Sequence, residues 1–385
     1  MRQLGEVRWG QGRPRVLVSD GWFANAGDAA IALAVDRIVR RAVPEAEVVH
    51  AVYFPSPVGD RLDLTVAPPL DQLLSGRFAR DPGLGTAGLQ FVAGADLVVS
   101  QGGGFLLEQY KPFSRIEALT TVADLGVPWC VAGQTIGRFS DAKTRRQLRR
   151  ALDAAVMIGL RDRSSMHNVI DLGVRSDSMV LGSDLALELV ESDRNDTERR
   201  QVGVVVTDTN VRYGSPALEL ATALVSDVLA LTDDDVTLFS SVQAVESSGV
   251  ENDLPFATAV LEQIHPADRG RVRLMTDAVD VHELLDLVAA FRAVVSMRLH
   301  PALLAMAAGT PAALFLDAPK VGCLEGADVP LGVDLSDAEH RHDILSRVLG
   351  GQAPRGARLR SELARPRERA RTLADELARV VQSVA

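Results

Sequence analysis

Residues 15–28 of the chain read RVLVSDGWFANAGD, and they contain the pattern that decides the fold class. Arg15 to Ser19 is a short apolar run, typical of a parallel strand that is buried on both faces. A turn rich in glycine, asparagine and aspartate follows, and residues 29–42 have helical spacing. A strand, a polar loop and a helix in this order predict one unit of a doubly wound parallel sheet.

The same order of elements recurs along the whole chain. Apolar runs at residues 95–100 and 155–160 are each followed by a polar loop and a helical pattern. Residues 191–200 are highly charged and lack apolar periodicity, and the strand pattern restarts at Val202. We therefore predict an α/β protein with two Rossmann-like domains and a cleft between them.

The predicted domain boundaries follow from these changes in pattern. The N-terminal domain covers residues 14–190 and the C-terminal domain covers residues 201–350, with residues 191–200 as an exposed linker. Residues 355–385 are rich in arginine and have apolar residues at helical spacing. They predict a last helix, which either lies in solvent or crosses back to the N-terminal domain.

Composition narrows the classes of function. The chain has 385 residues and a net charge of -10, which disfavours binding of nucleic acid because phosphate contacts need a positive face. A cleft can still be locally positive, so an anionic small substrate is compatible with this charge. Aromatic residues make up only 4% of the chain, which argues against sites built on aromatic platforms.

Other classes of site find no support in the sequence. Cys130 and Cys323 lack CxxC spacing, so we predict neither a disulfide framework nor a metal site. The N-terminal residues have no apolar core of a secretory signal, and no apolar run reaches the length of about 18 residues that a membrane span needs. We expect a cytoplasmic protein, and a homo-oligomer is left open.

Ligands of open α/β sheets bind beyond the carboxyl ends of the strands, which draws attention to the loops there. Gly27 permits close approach of the backbone to an anion at a helix N-terminus, and Asp28 follows it. The alternative is that Asn25 or Asp28 simply caps the helix. The loop matches neither a GKS or GKT phosphate loop nor GxGxxG, so nicotinamide binding has little support.

Two further loops are rich in glycine. Gly102, Gly103 and Gly104 follow a buried strand, and Glu108 comes soon enough after them to face the same cleft. Gln134 lies in a loop of the same kind after the next strand. Close packing of a tight turn would equally explain the glycines.

Two segments place arginine at the end of a strand. Arg161 opens the segment RDRSS, and guanidinium groups suit carboxylate or phosphate recognition. Ser296 begins the segment SMRLHP, in which Arg298 and His300 stand two residues apart. In an extended segment they would point to the same side, which places a fixed cation beside a group that titrates near neutrality.

Taken together, these segments resemble the polysaccharide pyruvyl transferase family. The matching pieces lie in the family's order between about residues 16 and 326: NAGDAAI, SQGGGFLLE, AGQTIG, GLRDRSS, GSDLALEL and SMRLHPALLAMAAGTPAALFLDAPKVGCLEG. The resemblance implies a fold like that of the two-lobed glycosyltransferases (GT-B-like). It also implies transfer of a pyruvyl group from phosphoenolpyruvate, usually to form a ketal on two hydroxyls of a sugar. It implies no cofactor beyond phosphoenolpyruvate as the donor substrate, and a carbohydrate or glycosylated small molecule as acceptor.

The resemblance also implies roles for individual residues. Arg161, Arg298 and His300 would bind the donor, with Leu299 shaping the pocket and Ser296 opening the motif. A protonated histidine is suited to protonate the methylene carbon of phosphoenolpyruvate, after which a hydroxyl attacks the adjacent carbon. The base that takes the hydroxyl protons is left open among three carboxylates, which are Asp28, Glu108 and Asp184.

The chain departs from the family's pattern at three places, all outside the donor motifs. The second glycine loop reads GQTIGR instead of GQGIGP, and Leu185 stands where the family has proline after aspartate. The first strand of the second half ends in polar and acidic residues instead of near an arginine. The acceptor and the product linkage are therefore open. The alternatives are a nucleotide-sugar glycosyltransferase of the same fold and a non-catalytic protein that binds sugar phosphates.

Overall fold

The computed structural model describes residues 9–10, 12–53, 61–75, 82–190, 201–208, 216–243, 252–316, 318–327, 330–332, 334–350 and 353–385. These residues form two parallel sheets, one of seven strands and one of six, each flanked by helices. The predicted fold class is confirmed. The predicted linker at residues 191–200 lies outside the described residues.

The N-terminal lobe is built on the seven-stranded sheet, in the order β3-β2-β1-β4-β5-β6-β7. Its strands are β1 (Arg15–Gly21), β2 (Glu47–Val52), β3 (Val66–Ala67), β4 (Leu97–Leu106), β5 (Trp129–Ile136), β6 (Met157–Leu160) and β7 (Met179–Leu181). Its helices are α1 (Ala26–Ala42), α2 (Leu70–Ser75), α3 (Pro82–Ala93), α4 (Phe113–Asp124), α5 (Ala142–Asp153) and α6 (Arg163–Asp171).

The C-terminal lobe is built on the six-stranded sheet, in the order β10-β9-β8-β11-β12-β13. Its strands are β8 (Gln201–Val205), β9 (Asp235–Leu238), β10 (Val272–Leu274), β11 (Ala293–Ser296), β12 (Ala312–Phe315) and β13 (Leu331–Gly332). Its helices are α7 (Ala217–Leu231), α8 (Asp253–Gln263), α9 (Pro266–Arg269), α10 (Val281–Ala290), α11 (Leu299–Ala308) and α12 (Ala338–Leu349). Helices α13 (Gly356–Glu362) and α14 (Ala364–Val384) follow.

Both sheets reverse their strand order once, and these reversals position the site. In the N-terminal sheet the order reverses between β1 and β4, and in the C-terminal sheet between β8 and β11. The helices that follow at these places are α1 and the buried helix α11. Asn25 caps α1 by accepting a hydrogen bond from Gly27 N at 2.9 Å. Ligand sites of open α/β sheets form at such reversals.

The prediction that Gly102 to Gly104 and Gln134 lie in loops is wrong, because these residues belong to strands. Gly102 to Gly104 lie inside β4, and Gln134 lies inside β5, with shifts of register between the two strands and their neighbours. A Cβ at Gly102 would lie 2.8 Å from the carbonyl oxygens of Ala132 and Gly133. Glycine is needed there because the two irregular strand ends approach each other so closely.

The last helix packs on the N-terminal lobe. Leu373 of α14 is fully buried, and a Cβ at Gly182 would lie 2.6 Å from its Cδ2. Helix α14 also contacts α1 and strands β5, β6 and β7. The chain therefore returns from the C-terminal lobe to the first sheet.

Backbone contacts also join the two lobes near the ends of their sheets. Ala26 N donates to the carbonyl of Ser241 at 2.8 Å, and Asn25 forms an antiparallel bridge with Val242. On the other side, Ser183 Oγ donates to the carbonyl of Cys323 at 2.9 Å. Among the described helices, none is both long and apolar enough to cross a membrane.

Candidate functional site

A cavity of about 270 Å³ lies between the two lobes, at the reversals of strand order. The N-terminal lobe contributes residues that follow β1 and β6, the end of β4, and helix α4. The C-terminal lobe contributes the start of α11 and residues that follow β9 and β12. The lining residues are Trp22, Asn25, Asp28, Gly103, Gly104, Phe105, Tyr110, Arg115, Arg161, Ser241, Val242, Arg298, Leu299, His300, Pro301, Leu316 and Lys320.

Arg161 reaches the cavity from the end of β6 and is only 2% exposed. Its Nη1 lies 2.8 Å from Asp184 Oδ2, and its Nε donates to Thr135 Oγ1 at 2.6 Å. A buried guanidinium that is held from behind in this way has a fixed position. Arg161 is thus preorganised to meet an anion in the cavity.

Asp184 lies behind the cavity wall and links the two lobes. Its Oδ2 also faces His300 Nε2 at 3.3 Å, and its Oδ1 accepts a hydrogen bond from Ala186 N. Burial by itself would raise the pKa of the Asp184 carboxyl, but His300 and Arg161 hold that pKa well below its usual range. Asp184 is therefore a permanent anion that orients two cavity residues.

His300 lies in the first turn of α11, at the boundary between the lobes. A Cβ at Gly27 would overlap the His300 ring, so Gly27 leaves room for the imidazole of the opposite lobe. The sequence had predicted instead that Gly27 lets the backbone approach an anion. Gly27 is outside the cavity lining, and the close approach is made by His300.

Arg298 lines the cavity. The prediction that Arg298 and His300 point to the same side of an extended segment is wrong, because the helix begins between them. Arg298 occupies the N-cap position of α11, and His300 is already helical. Two nitrogens of Arg298 contact Asp253 at 2.7 and 3.0 Å. Ser296 is buried outside the lining, and its Oγ donates to the carbonyl of Arg298, while Leu299 forms part of the wall.

The three carboxylates that the sequence offered as the base lie at different places relative to the cavity. Asp28 lines the cavity, and its Oδ2 accepts a hydrogen bond from Asn25 at 3.0 Å. Asp184 is fully buried behind the wall. Glu108 is outside the lining, where its Oε1 accepts hydrogen bonds from Ser140 N and Oγ. Asp28 is therefore the one of the three that a ligand could reach.

The glycine-rich strand ends form the floor of the cavity only in part. Gly103 and Gly104 line it, and a Cβ at Gly104 would lie 3.8 Å from both Arg161 Nη2 and Lys320 Cε. Gln134 lies outside the lining and donates through Nε2 to the carbonyl of Gln101. Gln134 therefore holds the adjoining strand ends together.

Two cationic residues of the wall were missed by the sequence analysis. Lys320 follows β12, and its Nζ lies 5.0 Å from the ring centre of Tyr110. Arg115 lies in α4, with its Nε 3.3 Å from Asp20 Oδ1. Lys320 could have been found by the rule that ligands lie beyond strand ends, since it stands five residues after Phe315. Arg115 lies within a helix, where that rule does not point.

The expectation that the site lacks aromatic residues, which followed from composition, is wrong. Aromatic residues are few in the chain, yet Trp22, Phe105 and Tyr110 all line this cavity. The low overall content therefore does not exclude an aromatic wall at the site, because composition reports the number of such residues and not where folding gathers them.

The charges around the cavity are unevenly compensated. Arg115, Arg161 and Arg298 each contact a buried aspartate. Within the described part of the chain, Lys320 has no carboxylate at ion-pair distance, and its charge acts on Asp28. The part of the cavity around Lys320 thus holds a cation without an ion-pair partner among the described residues, in a protein whose net charge is -10.

Asp28→Asn should stabilise the ligand-free protein at neutral pH. Burial raises the pKa of the Asp28 carboxyl above its ordinary value, although nearby cations act in the opposite direction. A raised pKa in the folded state means that stability falls as pH rises through that pKa, so the advantage of asparagine grows from about pH 4 to neutrality. A gain of about 1 kcal/mol would raise Tm by about 1 °C if the whole chain of 385 residues unfolds in one step.

Thermal unfolding at both pH values measures this effect. Asp177→Asn, which changes a carboxyl on the surface, serves as the control and should leave Tm unchanged. A lower Tm for Asp28→Asn at neutral pH would show that the charged carboxylate stabilises the fold.

Comparisons with known proteins agree with this architecture. MnaA of S. aureus with UDP shares the fold at 11% identity, with 94% of each chain covered and a TM-score of 0.63. UDP-GlcNAc 2-epimerase of Neisseria meningitidis with UDP-GlcNAc shares it at 9% identity, with 96% of this chain and all of that chain covered and a TM-score of 0.60. HepE of Anabaena with UDP shares it at 15% identity, with 96% of this chain and all of that chain covered and a TM-score of 0.59. No curated protein sequence matches the chain. The family model of polysaccharide pyruvyl transferase matches residues 25–316, which contain every lining residue of the cavity except Trp22 and Lys320. The chain belongs to the polysaccharide pyruvyl transferase family.

Proposed function

We propose that this protein transfers a pyruvyl group from phosphoenolpyruvate to hydroxyls of a sugar, forming a ketal and releasing phosphate. The family is one of transferases, which supports transfer chemistry. The observation that carries the donor assignment is the part of the cavity where Arg161, His300 and Lys320 converge from both lobes. A carboxylate and a phosphate on one small molecule need such a set of donors.

The charge balance supports an anionic ligand in this part of the cavity. Asp184 compensates Arg161 and would pair with a protonated His300, whereas Lys320 is left to act on the ligand. Lys320 and Arg161 flank Gly104, so both can contact one small anion above the strand end. Binding energy placed on the phosphate and carboxylate would also hold the reacting carbon in position.

The proposed first step is protonation of the donor by His300. An imidazolium proton passes to the methylene carbon of phosphoenolpyruvate, and the adjacent carbon becomes electron-poor. A sugar hydroxyl attacks that carbon and forms a C–O bond, while its proton passes to a base. Asp184 stabilises the imidazolium, since it remains an anion 3.3 Å from His300 Nε2.

Asp28 is the proposed base for the first sugar hydroxyl. Its carboxyl faces the cavity, and its raised pKa makes it a better proton acceptor than an ordinary aspartate. In the second step, a neighbouring hydroxyl attacks the same carbon and its proton passes to the now neutral His300, which restores the imidazolium. The bond to the phosphate oxygen breaks, phosphate leaves with the electron pair, and it takes the proton that Asp28 holds. The product is a ketal, and the scheme needs no metal.

Two alternatives are separated by ligand preference. A nucleotide-sugar glycosyltransferase of this fold would bind a UDP-sugar as donor, and two structures that share the fold were solved with UDP or with UDP-GlcNAc. A sugar-phosphate-binding relative without activity would bind a ligand and release no phosphate. The MRLH and RDRSS segments, with Arg161 and His300 at the cavity, favour the pyruvyl donor.

Phosphoenolpyruvate should raise the Tm of the protein, whereas ATP, NAD, UDP-GlcNAc and an equimolar mixture of pyruvate and phosphate should not. A ligand at 100 times its Kd stabilises the folded state by about 2.7 kcal/mol. Lys320→Met should remove most of this shift, because it deletes the cation that lacks a paired carboxylate. Lys143→Met, at an exposed position of α5, is the matched control and should keep the shift.

Release of phosphate from phosphoenolpyruvate in the presence of a panel of glycosides tests the reaction itself. Stabilisation by UDP-GlcNAc alone would favour the glycosyltransferase. Binding of phosphoenolpyruvate without phosphate release for any glycoside would favour the inactive relative.

A further inference from the structure

We propose that the part of the cavity around Arg115 is an acceptor subsite in which Arg115 binds an anionic group, phosphate or carboxylate, carried by the acceptor sugar. This inference rests on the proposed function, and it names the chemical class of the acceptor. The argument starts from how Arg115 is held.

Arg115 is a buried arginine that the fold fixes in the cavity wall. It is 9% exposed and lines the cavity, and its Nε lies 3.3 Å from Asp20 Oδ1. The other oxygen of Asp20 accepts hydrogen bonds from Ser100 Oγ at 2.7 Å and Ser19 Oγ at 3.2 Å. Asp20 itself has a φ of 74°, a conformation that non-glycine residues adopt rarely and most often at functional sites.

Aromatic rings restrict what Arg115 can bind. Its guanidinium carbon lies 4.3 Å from the ring centre of Tyr53 and 4.6 Å from that of Phe105. Rings over the flat faces of a guanidinium leave its N–H edges as the binding surface. Asp20 Oδ1 lies 3.3 Å from Nε, which forms no hydrogen bond within the described residues, so this edge of the guanidinium has a buried donor left for an anion.

Arg115 is separate from the residues that the donor would contact. Arg115 contacts Asp20 near the end of β1, whereas Arg161 follows β6, three positions away in the sheet. The charges that act on Asp28 come from His300, Lys320 and Arg161. We therefore assign the donor to these three residues and Arg115 to the acceptor.

The surface beside Arg115 suits a sugar ring. Phe105 contacts Arg115, Trp22 lines the same cavity, and Tyr110 is 41% exposed, with Lys320 Nζ 5.0 Å from its ring centre. Aromatic faces pack against the apolar face of a ring while leaving hydroxyls free at its edge. An acceptor bound here by its anion would direct those hydroxyls towards Asp28 and the donor.

The test compares matched anionic and neutral acceptors. The probes are the 1-phosphates of glucose, galactose, mannose and N-acetylglucosamine, the corresponding methyl glycosides, and methyl glucuronide and galacturonide. Titration calorimetry measures binding to the wild-type protein, and phosphate release from phosphoenolpyruvate measures turnover. We expect at least one anionic probe to bind 10-fold or more tightly than its neutral counterpart.

Arg115→Gln should raise the Kd and KM of that anionic probe by about 10- to 100-fold, the range for a charge-assisted contact, and leave the KM of phosphoenolpyruvate within about 2-fold. Arg115→Lys should recover part of the loss, because it keeps the charge but not the fork. Arg163→Gln, at an exposed arginine outside the cavity lining, is the control and should match the wild type.

The outcomes are distinguishable. If Arg115→Gln unfolds because Asp20 is left unpaired, the double variant Asp20→Asn/Arg115→Gln removes both charges and is measured instead. Equal affinity for anionic and neutral probes, no binding of any anionic probe, or an equal loss for both kinds in the Arg115 variants would overturn the inference. The protein could also bind an anionic sugar through Arg115 but neither bind nor turn over phosphoenolpyruvate. That result would contradict the proposed function and support the anion subsite.

Discussion

Replacing His300 by alanine is expected to lower turnover of phosphoenolpyruvate about 100-fold or more, the usual scale for a positioned general acid. The reason is that His300 faces both the cavity and the anionic Asp184, whose Oδ2 lies 3.3 Å from Nε2. Affinity for the donor should change much less, since Arg161 and Lys320 remain. Phosphate-release kinetics beside titration calorimetry with phosphoenolpyruvate separate the two quantities.

The control for His300→Ala is His167→Ala, at an exposed position of α6, which should keep normal turnover. His300→Gln tests packing, because it fills much of the same space against Gly27 and cannot act as an acid near neutrality. Both His300 variants should fail alike. If His300→Ala turned over at a near-normal rate, the proton would have to come from Asp28, which is the carboxyl of the cavity wall with a raised pKa.

Asp184→Ala is expected to lower the free energy of unfolding by about 3–5 kcal/mol, the range for removing one partner of a buried ion pair. The Arg161 side chain is 2% exposed, so its charge would be left in the interior without compensation. Activity should fall as well, because Arg161 and His300 both lose the group that orients them. Denaturant unfolding at neutral pH measures the stability term.

The pH dependence of this loss has a definite sign. The neighbouring cations hold the pKa of Asp184 well below its usual range, so its contribution is complete above about pH 4 and declines as pH falls towards the lowered pKa. The gap between wild type and Asp184→Ala should therefore narrow on acidification. Asp171→Ala, which breaks an exposed pair with Arg138, should cost less than about 1 kcal/mol and serves as the reference. A loss for Asp184→Ala as small as this would contradict the role of the buried pair.

Much of the candidate site could be predicted from its place in the chain. Arg161, Asp28 and the Arg298–His300 segment all follow apolar strands, and in a parallel sheet such positions meet at one edge. The same rule selects Glu108 and Gln134, which the structure places outside the cavity. Position after a strand identifies the edge of the sheet but not the direction of a side chain.

The direction in which each side chain points was decided by partner residues that lie far away in the sequence. Arg298 contacts Asp253 from another helix, and Arg115 contacts Asp20, nearly a hundred residues earlier. Glu108 turns away from the cavity because Ser140 offers it two hydrogen bonds. Buried polar groups require a partner, and no local period of the sequence encodes which distant residue supplies it.

The sequence by itself determined the α/β class, the repeated strand-and-helix units and the family, because apolar periodicity and turn residues are local properties of the chain. Only the tertiary structure decided which carboxylate lines the cavity, that Lys320 and Arg115 belong to its wall, and that Gly27 makes room for His300. These choices depend on how two lobes and a returning helix pack against each other. Burial, close approach and charge compensation across that interface select the partners, and they exist only once the chain has folded.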